Sequence, residues 1–325
     1  MHGIFDLAAV NLLSPVVLFF ALGIGAALAR SDLSMPEAIA KGLALYLMMA
    51  IGFKGGVAVN ASGLNAEVAS VAAAGIALGF LLPLIAFTAL RATTALDTAT
   101  AAAVAAHYGS ISIVTFVAGT ELLKAGGLVF DGYMVAVMAL METPAIVAGL
   151  WLASRDPAAK AQKASRELLR EVFLNGSVVL LMGAFVIGWI TGEAGMKPVK
   201  PVFEDMFRGL LCLFMLDMGL IAGARLRGTA RVTWPMAAFA VYMPLTGAAF
   251  GLAAAGVLGL GAGNAALLAI LCASASYIAV PAAMRLALPQ ADPAVYLTLS
   301  LAMTFPFNLT IGMPLYVWAA ERLNG

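Results

Sequence analysis

Apolar residues along this chain run in blocks of roughly 20, the length a helix needs to cross about 30 Å of hydrocarbon. Ten such spans are predicted, at 12–29, 37–59, 68–91, 98–120, 132–153, 172–191, 206–225, 233–259, 264–284 and 294–319. The longest polar stretch, Arg155 to Glu171, divides them five and five and carries Arg155, Lys160, Lys163, Arg166 and Arg170. It reads as a short amphipathic connector. Two spans are interrupted at their middles, the fourth at Ala106-His107-Tyr108-Gly109-Ser110-Ile111-Ser112 and the ninth at Cys272-Ala273-Ser274-Ala275-Ser276-Tyr277. Such a break frees backbone groups that lipid cannot satisfy, so it survives only beside a polar cavity.

The halves overlay at an offset of roughly 161–167 residues, in register and in order. Val16-Val17-Leu18 falls on Val178-Val179-Leu180, Lys41-Gly42-Leu43 with Gly52 and Gly56 on Arg208-Gly209-Leu210 with Gly219 and Gly223, and Leu82-Pro83-Leu84 on Met243-Pro244-Leu245. Ser110 and Ser112 fall on Ser274 and Ser276, and Met141-Glu142-Thr143-Pro144 on Met303-Thr304-Phe305-Pro306. Five spans is an odd number, so the second half must be inserted upside down. The expected fold is an all-α integral membrane protein of ten transmembrane helices, a 5+5 inverted repeat with discontinuous helices 4 and 9. Residues 1–153 form the first repeat, 154–171 the connector and 172–325 the second repeat.

Composition agrees: 63% of the 325 residues are hydrophobic and 11% charged, with a mean hydropathy of +1.00. The net charge of +1 offers nothing to nucleic acid. Cys212 and Cys272 lie in apolar segments and read as small hydrophobes, not as a disulfide framework or metal cluster. The N-terminus lacks a basic region and a cleavage site, so the first span is expected to stay. Arg30, Arg91, the connector residues, Arg225, Arg227, Arg231 and Arg285 fall on one side, against mainly Lys124, Lys197, Lys200 and Arg322 on the other. The positive-inside rule then puts both termini outside and the connector in the cytoplasm of a bacterial inner membrane.

Inversion lets the two breaks meet near the midplane. The half-helices that restart there offer free N–H groups and partial positive charge to an anion, and the ending halves offer carbonyls to a dehydrated cation such as Na⁺. Gly109, Ser110, Ser112, Ser274, Ser276 and Tyr277 are the candidate substrate residues; close helix packing also explains small residues there. Glu142, at mid-span, is a candidate for the coupling ion, with Thr115, Thr304 and Asn308 as neutral oxygens, or else a protonated carboxyl bonded to a neighbouring helix. No transition metal and no organic cofactor is called for. His107 is a proton relay or a structural histidine. Lys54 and Asp217, on counterpart spans, are expected as an intramembrane charge pair or as neighbours on one aqueous crevice, unless Lys54 reaches the interface. Arg208 with Asp205, Arg285 and Asp131 lie near span ends and read as interfacial.

Phe207-Arg208-Gly209-Leu210-Leu211, Gly52 with Gly55-Gly56, the paired serine breaks, and Arg285 with Ala291-Asp292-Pro293-Ala294-Val295-Tyr296 give the chain a resemblance to the sodium-dependent bicarbonate transporter family, the SbtA-like permeases, over nearly its whole length. The resemblance implies a homotrimer with spans 1, 2, 6 and 7 as scaffold or gate and spans 3–5 and 8–10 as a mobile core. It implies Na⁺-coupled uptake of bicarbonate by an elevator-like motion, with the anion at Gly109, Ser110, Ser112, Ser274 and Ser276 and Na⁺ nearby. A PII-like regulatory partner is implied too, against which the short connector argues. Tyr277 stands where an acidic residue is expected, and a phenol carries no fixed charge at neutral pH. Transport of another small anion, such as an organic monocarboxylate, with Na⁺ or H⁺, is the alternative; it needs an apolar annex beside the serines. Two other classes are an intramembrane serine hydrolase using His107, which needs nucleophile and base in reach, and a membrane anion sensor that does not transport.

Overall fold

Inside hydrocarbon a backbone must satisfy its own N–H and C=O groups, and every regular element described is helical. A computed structural model describes residues 8–9, 11–63, 66–155, 176–227, 232–278 and 280–323. In chain order they form α1 (Pro15–Leu28), α2 (Glu37–Ser62), α3 (Ala66–Thr93), α4 (Thr98–Gly109), α5 (Ile113–Ala125), α6 (Met134–Ser154), α7 (Gly176–Lys200), α8 (Phe207–Leu226), α9 (Trp234–Leu258), α10 (Ala262–Ala273), α11 (Val280–Ala287) and α12 (Pro293–Leu323). Among the described residues, eight stretches are long and apolar enough to cross a membrane, one of them α4 and α5 taken together. The expected connector lies outside the described residues from position 156 on, with Lys160, Lys163, Arg166 and Arg170, and so does Arg231.

Local chemistry moves several boundaries. The first span begins late because Ser14 caps it, accepting from Val17 N at 3.4 Å, and Pro15 occupies the first turn. Its 14 residues rise only about 21 Å. The sixth span runs past its predicted end to Lys200, with a kink at Gly192 (φ 54°, ψ −151°), a conformation open to glycine alone. In α12 the ladder widens into π turns at Thr298–Thr304 and Asn308–Gly312, on either side of Pro306, which supplies no N–H.

The helices pack in two groups. In one, α1 lies along α8, α2 along α7, and α2 meets α8. In the other, α3, α4 and α6 pack on one another, α10 packs on α9 and the end of α12, and α3 meets α9. Glycines set the close crossings of the first group. A methyl at Gly56 would strike the backbone of Phe185 and Trp189 on α7, one at Gly52 the carbonyl of Leu181, and one at Gly219 or Gly223 the backbone of α1. Contacts between the groups are sparser, chiefly α8 with the first part of α12 and α2 with α6. The most enclosed helices are the two that lead into the breaks: Ala99 to Gly109 and Gly263 to Ala273 are buried without exception.

Candidate functional site

Both expected breaks are present. α4 starts on an Asp97 cap, with Thr100 N donating to Oδ1 at 2.9 Å, and leaves helical geometry at Ser110 (φ −90°, ψ 159°). The backbone stays extended through Ser112 (φ −106°, ψ 114°), whose hydroxyl restarts the helix as the cap of α5 by accepting from Thr115 N at 3.2 Å. The second break repeats the departure at Ser274 (φ −81°, ψ 162°). The two are bonded to each other: Ser112 N donates to Ser274 Oγ at 3.0 Å, and Ser276 N donates to the His107 carbonyl at 2.8 Å.

Those bonds consume part of what each break frees. The Leu271 carbonyl accepts from Ser274 N at 3.1 Å and from Ser274 Oγ at 2.8 Å, and the Ala273 carbonyl accepts from Asn308 Nδ2 at 2.7 Å. The first-turn N–H groups of Ile113 and Val114 on α5 close no backbone bond. Between the breaks lies a cavity of ≈ 10 Å³, lined by Ser112, Ile113, Glu142, Ser276 and Tyr277 among others. That is close to the least that holds one water, so a bound anion of four heavy atoms requires the breaks to part. Glu142 comes from the middle of α6, only 3% exposed, and its carboxyl makes no hydrogen bond among the described residues. The Tyr277 hydroxyl faces Ser112 without closing a well-formed hydrogen bond to it.

The structure thus brings Ser112, Ser276, Tyr277 and Glu142 together. Gly109 and Ser110 lie beside them differently: a methyl on Gly109 would overlap the Pro83 ring, and Ser110 Oγ is buried with no partner. Ser274 holds the breaks together. Thr115 takes part through its backbone N–H. Thr304 Oγ1 is engaged elsewhere, donating to the Ala240 carbonyl at 2.7 Å and paired with the Tyr108 hydroxyl at 2.6 Å. Asn308 Oδ1 accepts from the Tyr316 hydroxyl at 2.9 Å. These two residues brace the broken helices and do not line the Glu142 cavity.

The expected direct pair of Lys54 and Asp217 does not form. No salt bridge joins them; the Lys54 ammonium lies 3.6 Å from the centre of the Phe207 ring, and Asp217 Oδ2 is buried without a partner. Arg208 meets Glu121 of α5 at 2.9 Å, where Asp205 was the expected neighbour, and Asp131 is held by Asn264, whose amide donates to it at 2.6 Å. The sequence reading missed Glu121, Tyr108, Tyr316 and Asn264; none is marked by a motif, and only the three-dimensional packing supplies their partners. His107 is fully buried, its Nδ1 donating to the Ala103 carbonyl at 2.6 Å and its ring stacked on Tyr296 at 4.4 Å. Nε2 has no partner, so no serine hydroxyl is bonded to the imidazole as a hydrolase would need.

The arrangement gathers hydroxyls, helix-end N–H groups and a carboxyl around one small cavity. No curated protein shows a significant match to the chain. A family model described as the Na⁺-dependent bicarbonate transporter superfamily matches residues 15–321, nearly all of it. The protein is a member of the Na⁺-dependent bicarbonate transporter superfamily.

Proposed function

We propose that this protein is a secondary active transporter that takes up bicarbonate together with Na⁺ across the bacterial inner membrane. The observation that carries the reading is the convergence of Ser112, Ser276, Tyr277 and an unbonded Glu142 on one cavity between two helix breaks. In the proposed site the hydroxyls and the Ile113 N–H bind the anion, and the Glu142 carboxylate with neighbouring hydroxyl oxygens holds Na⁺. Each charge lowers the cost of burying the other, which couples their binding.

The proposed architecture is ten spans in an inverted repeat. It is supported by the packing: α1 on α8 and α2 on α7 are the same contact under exchange of the halves, with Gly219 and Gly223 repeating the part of Gly52 and Gly56. We take α1, α2, α7 and α8 as the scaffold and the remaining helices as a core that moves in an elevator fashion; the sparse contact between the groups supports this. A trimer with both termini outside completes the proposal.

Proton coupling is a second reading, favoured by Tyr277 in place of an acid and by Glu142 as the one carboxyl on the cavity. An organic acid is the third reading: Ile113 and Ile278 line both this cavity and an apolar one beside it, formed with Leu47, Met48, Val117 and Phe214. Purified protein in liposomes, given labelled bicarbonate or a labelled organic monocarboxylate, tests all three. Uptake driven by an inward Na⁺ gradient and not by K⁺ supports the first reading, uptake driven by a pH gradient the second, and no bicarbonate uptake under either defeats both.

A further inference from the structure

A larger cavity, ≈ 280 Å³, opens between the two helix groups near Lys124. From the scaffold side it is lined by Lys54 of α2 and Phe207 of α8, and from the core side by Phe116, Thr120 and Lys124 of α5. Phe116, Thr120 and Lys124 follow Ser112 at four-residue intervals, so they share one face of the helix that starts at the first break. Phe116, 1% exposed, separates this cavity from the break by about one turn.

The charges lining the cavity are equal in number, Lys54 and Lys124 against Glu193 and Glu204, but unequally paired. Glu204 is taken by Lys200 at 2.5 Å. Glu121 is shared by Lys124 at 3.1 Å and Arg208 at 2.9 Å, one carboxylate for two cations. Lys54 is half-buried, with no carboxylate within 4.0 Å among the described residues; Glu193 lies on the exposed rim. Its ammonium touches the Phe207 ring on one side, which leaves N–H donors for the cavity. Two ammonium groups from opposite bodies thus line one partly desolvated space, Lys54 without an ion-pair partner among the described residues, and an anion between them relieves their repulsion.

We propose that this cavity is a second anion site, in which Lys54 and Lys124 hold a small monovalent oxyanion such as bicarbonate before it reaches the serine breaks. The passage onward rests on the transport reading above; binding at Lys54 does not.

The test uses full-length protein and ¹³C-bicarbonate as the probe. Binding is titrated in wild type, in S112A/S276A, and in that variant with K54Q or K54R added; melting midpoints establish that each is folded. Bicarbonate binding that survives S112A/S276A, weakens about tenfold with K54Q and returns with K54R supports the site. No residual binding in folded S112A/S276A, or residual binding indifferent to K54Q, overturns it. In liposomes K54Q alone raises KM with little change in maximal rate, and an unchanged KM counts against the relay. Should S112A/S276A not fold, the number of bicarbonate ions bound by wild type and by K54Q decides instead: two falling to one supports the site, equal numbers overturn it. If wild type takes up no bicarbonate, the binding titration still decides the Lys54 site, so the two failures are distinct.

Discussion

Ser110 and Ser274 each end the helix that leads into a break and are equally buried, each 1% exposed, yet they stand in different bonds. Ser274 Oγ accepts from Ser112 N and donates to the Leu271 carbonyl, whereas Ser110 Oγ has no partner. Truncation to alanine removes the same atom from the same kind of surroundings, so the packing loss cancels in the comparison. S274A strands the Ser112 N–H; Leu271 keeps its bond from Ser274 N. One stranded buried donor costs about 1–3 kcal/mol, and the modest values measured between membrane helices favour the lower half of that range. S110A strands nothing and is expected to change stability by less than about 0.5 kcal/mol. The assay is the thermal midpoint of purified protein in detergent, in bicarbonate-free buffer, followed by tryptophan fluorescence. S274A is expected to melt a few degrees below wild type and S110A within a degree of it. Equal shifts, or a larger one for S110A, would refute the claim that the Ser274 hydroxyl, and not that of Ser110, helps to bond the two breaks together.

Other predictions follow from the packing and the charges. G56A drives a methyl into the Phe185 and Trp189 backbone and is expected to destabilise by about 1–3 kcal/mol, while G42A, with open space around it, is expected to be neutral or stabilising by up to about 1 kcal/mol; chemical denaturation of the pair checks both, and a tolerated G56A contradicts the close α2–α7 crossing. The Glu121–Arg208 bridge joins α5 to α8, with the Glu121 side chain only 12% exposed. E121Q and R208Q are expected to alter the uptake rate several-fold each and their combination no more than the stronger single change; strictly additive effects would show that the contact is idle during transport.

The breaks were legible because Gly109, Ser110, Ser112, Ser274 and Ser276 interrupt apolar runs with residues that cap helices, and a cap is a local property. Glu142 was legible because a carboxyl at mid-span has few bland explanations. What escaped depends on three dimensions. Equivalence in the repeat suggested that Lys54 and Asp217 meet and that Ser110 and Ser274 act alike. The Phe207 ring takes the Lys54 ammonium in the first pair, and the bonds across the breaks distinguish the second, since Ser276 N reaches the His107 carbonyl and not Ser110. Thr304 and Asn308 had the right chemistry for a cation, but the π turns around Pro306 turn them toward the Ala240 and Ala273 carbonyls. No local pattern reveals such a widened ladder.

The central claim is that Glu142, beside the paired breaks, links cation to anion. Bicarbonate uptake into liposomes, measured against Na⁺ concentration for wild type and E142Q, tests it most directly; glutamine keeps the shape, and no hydrogen bond to the carboxyl from the described residues is lost. The account predicts saturable Na⁺ activation in wild type and its loss in a folded E142Q protein. Undiminished Na⁺-dependent uptake by E142Q would contradict it.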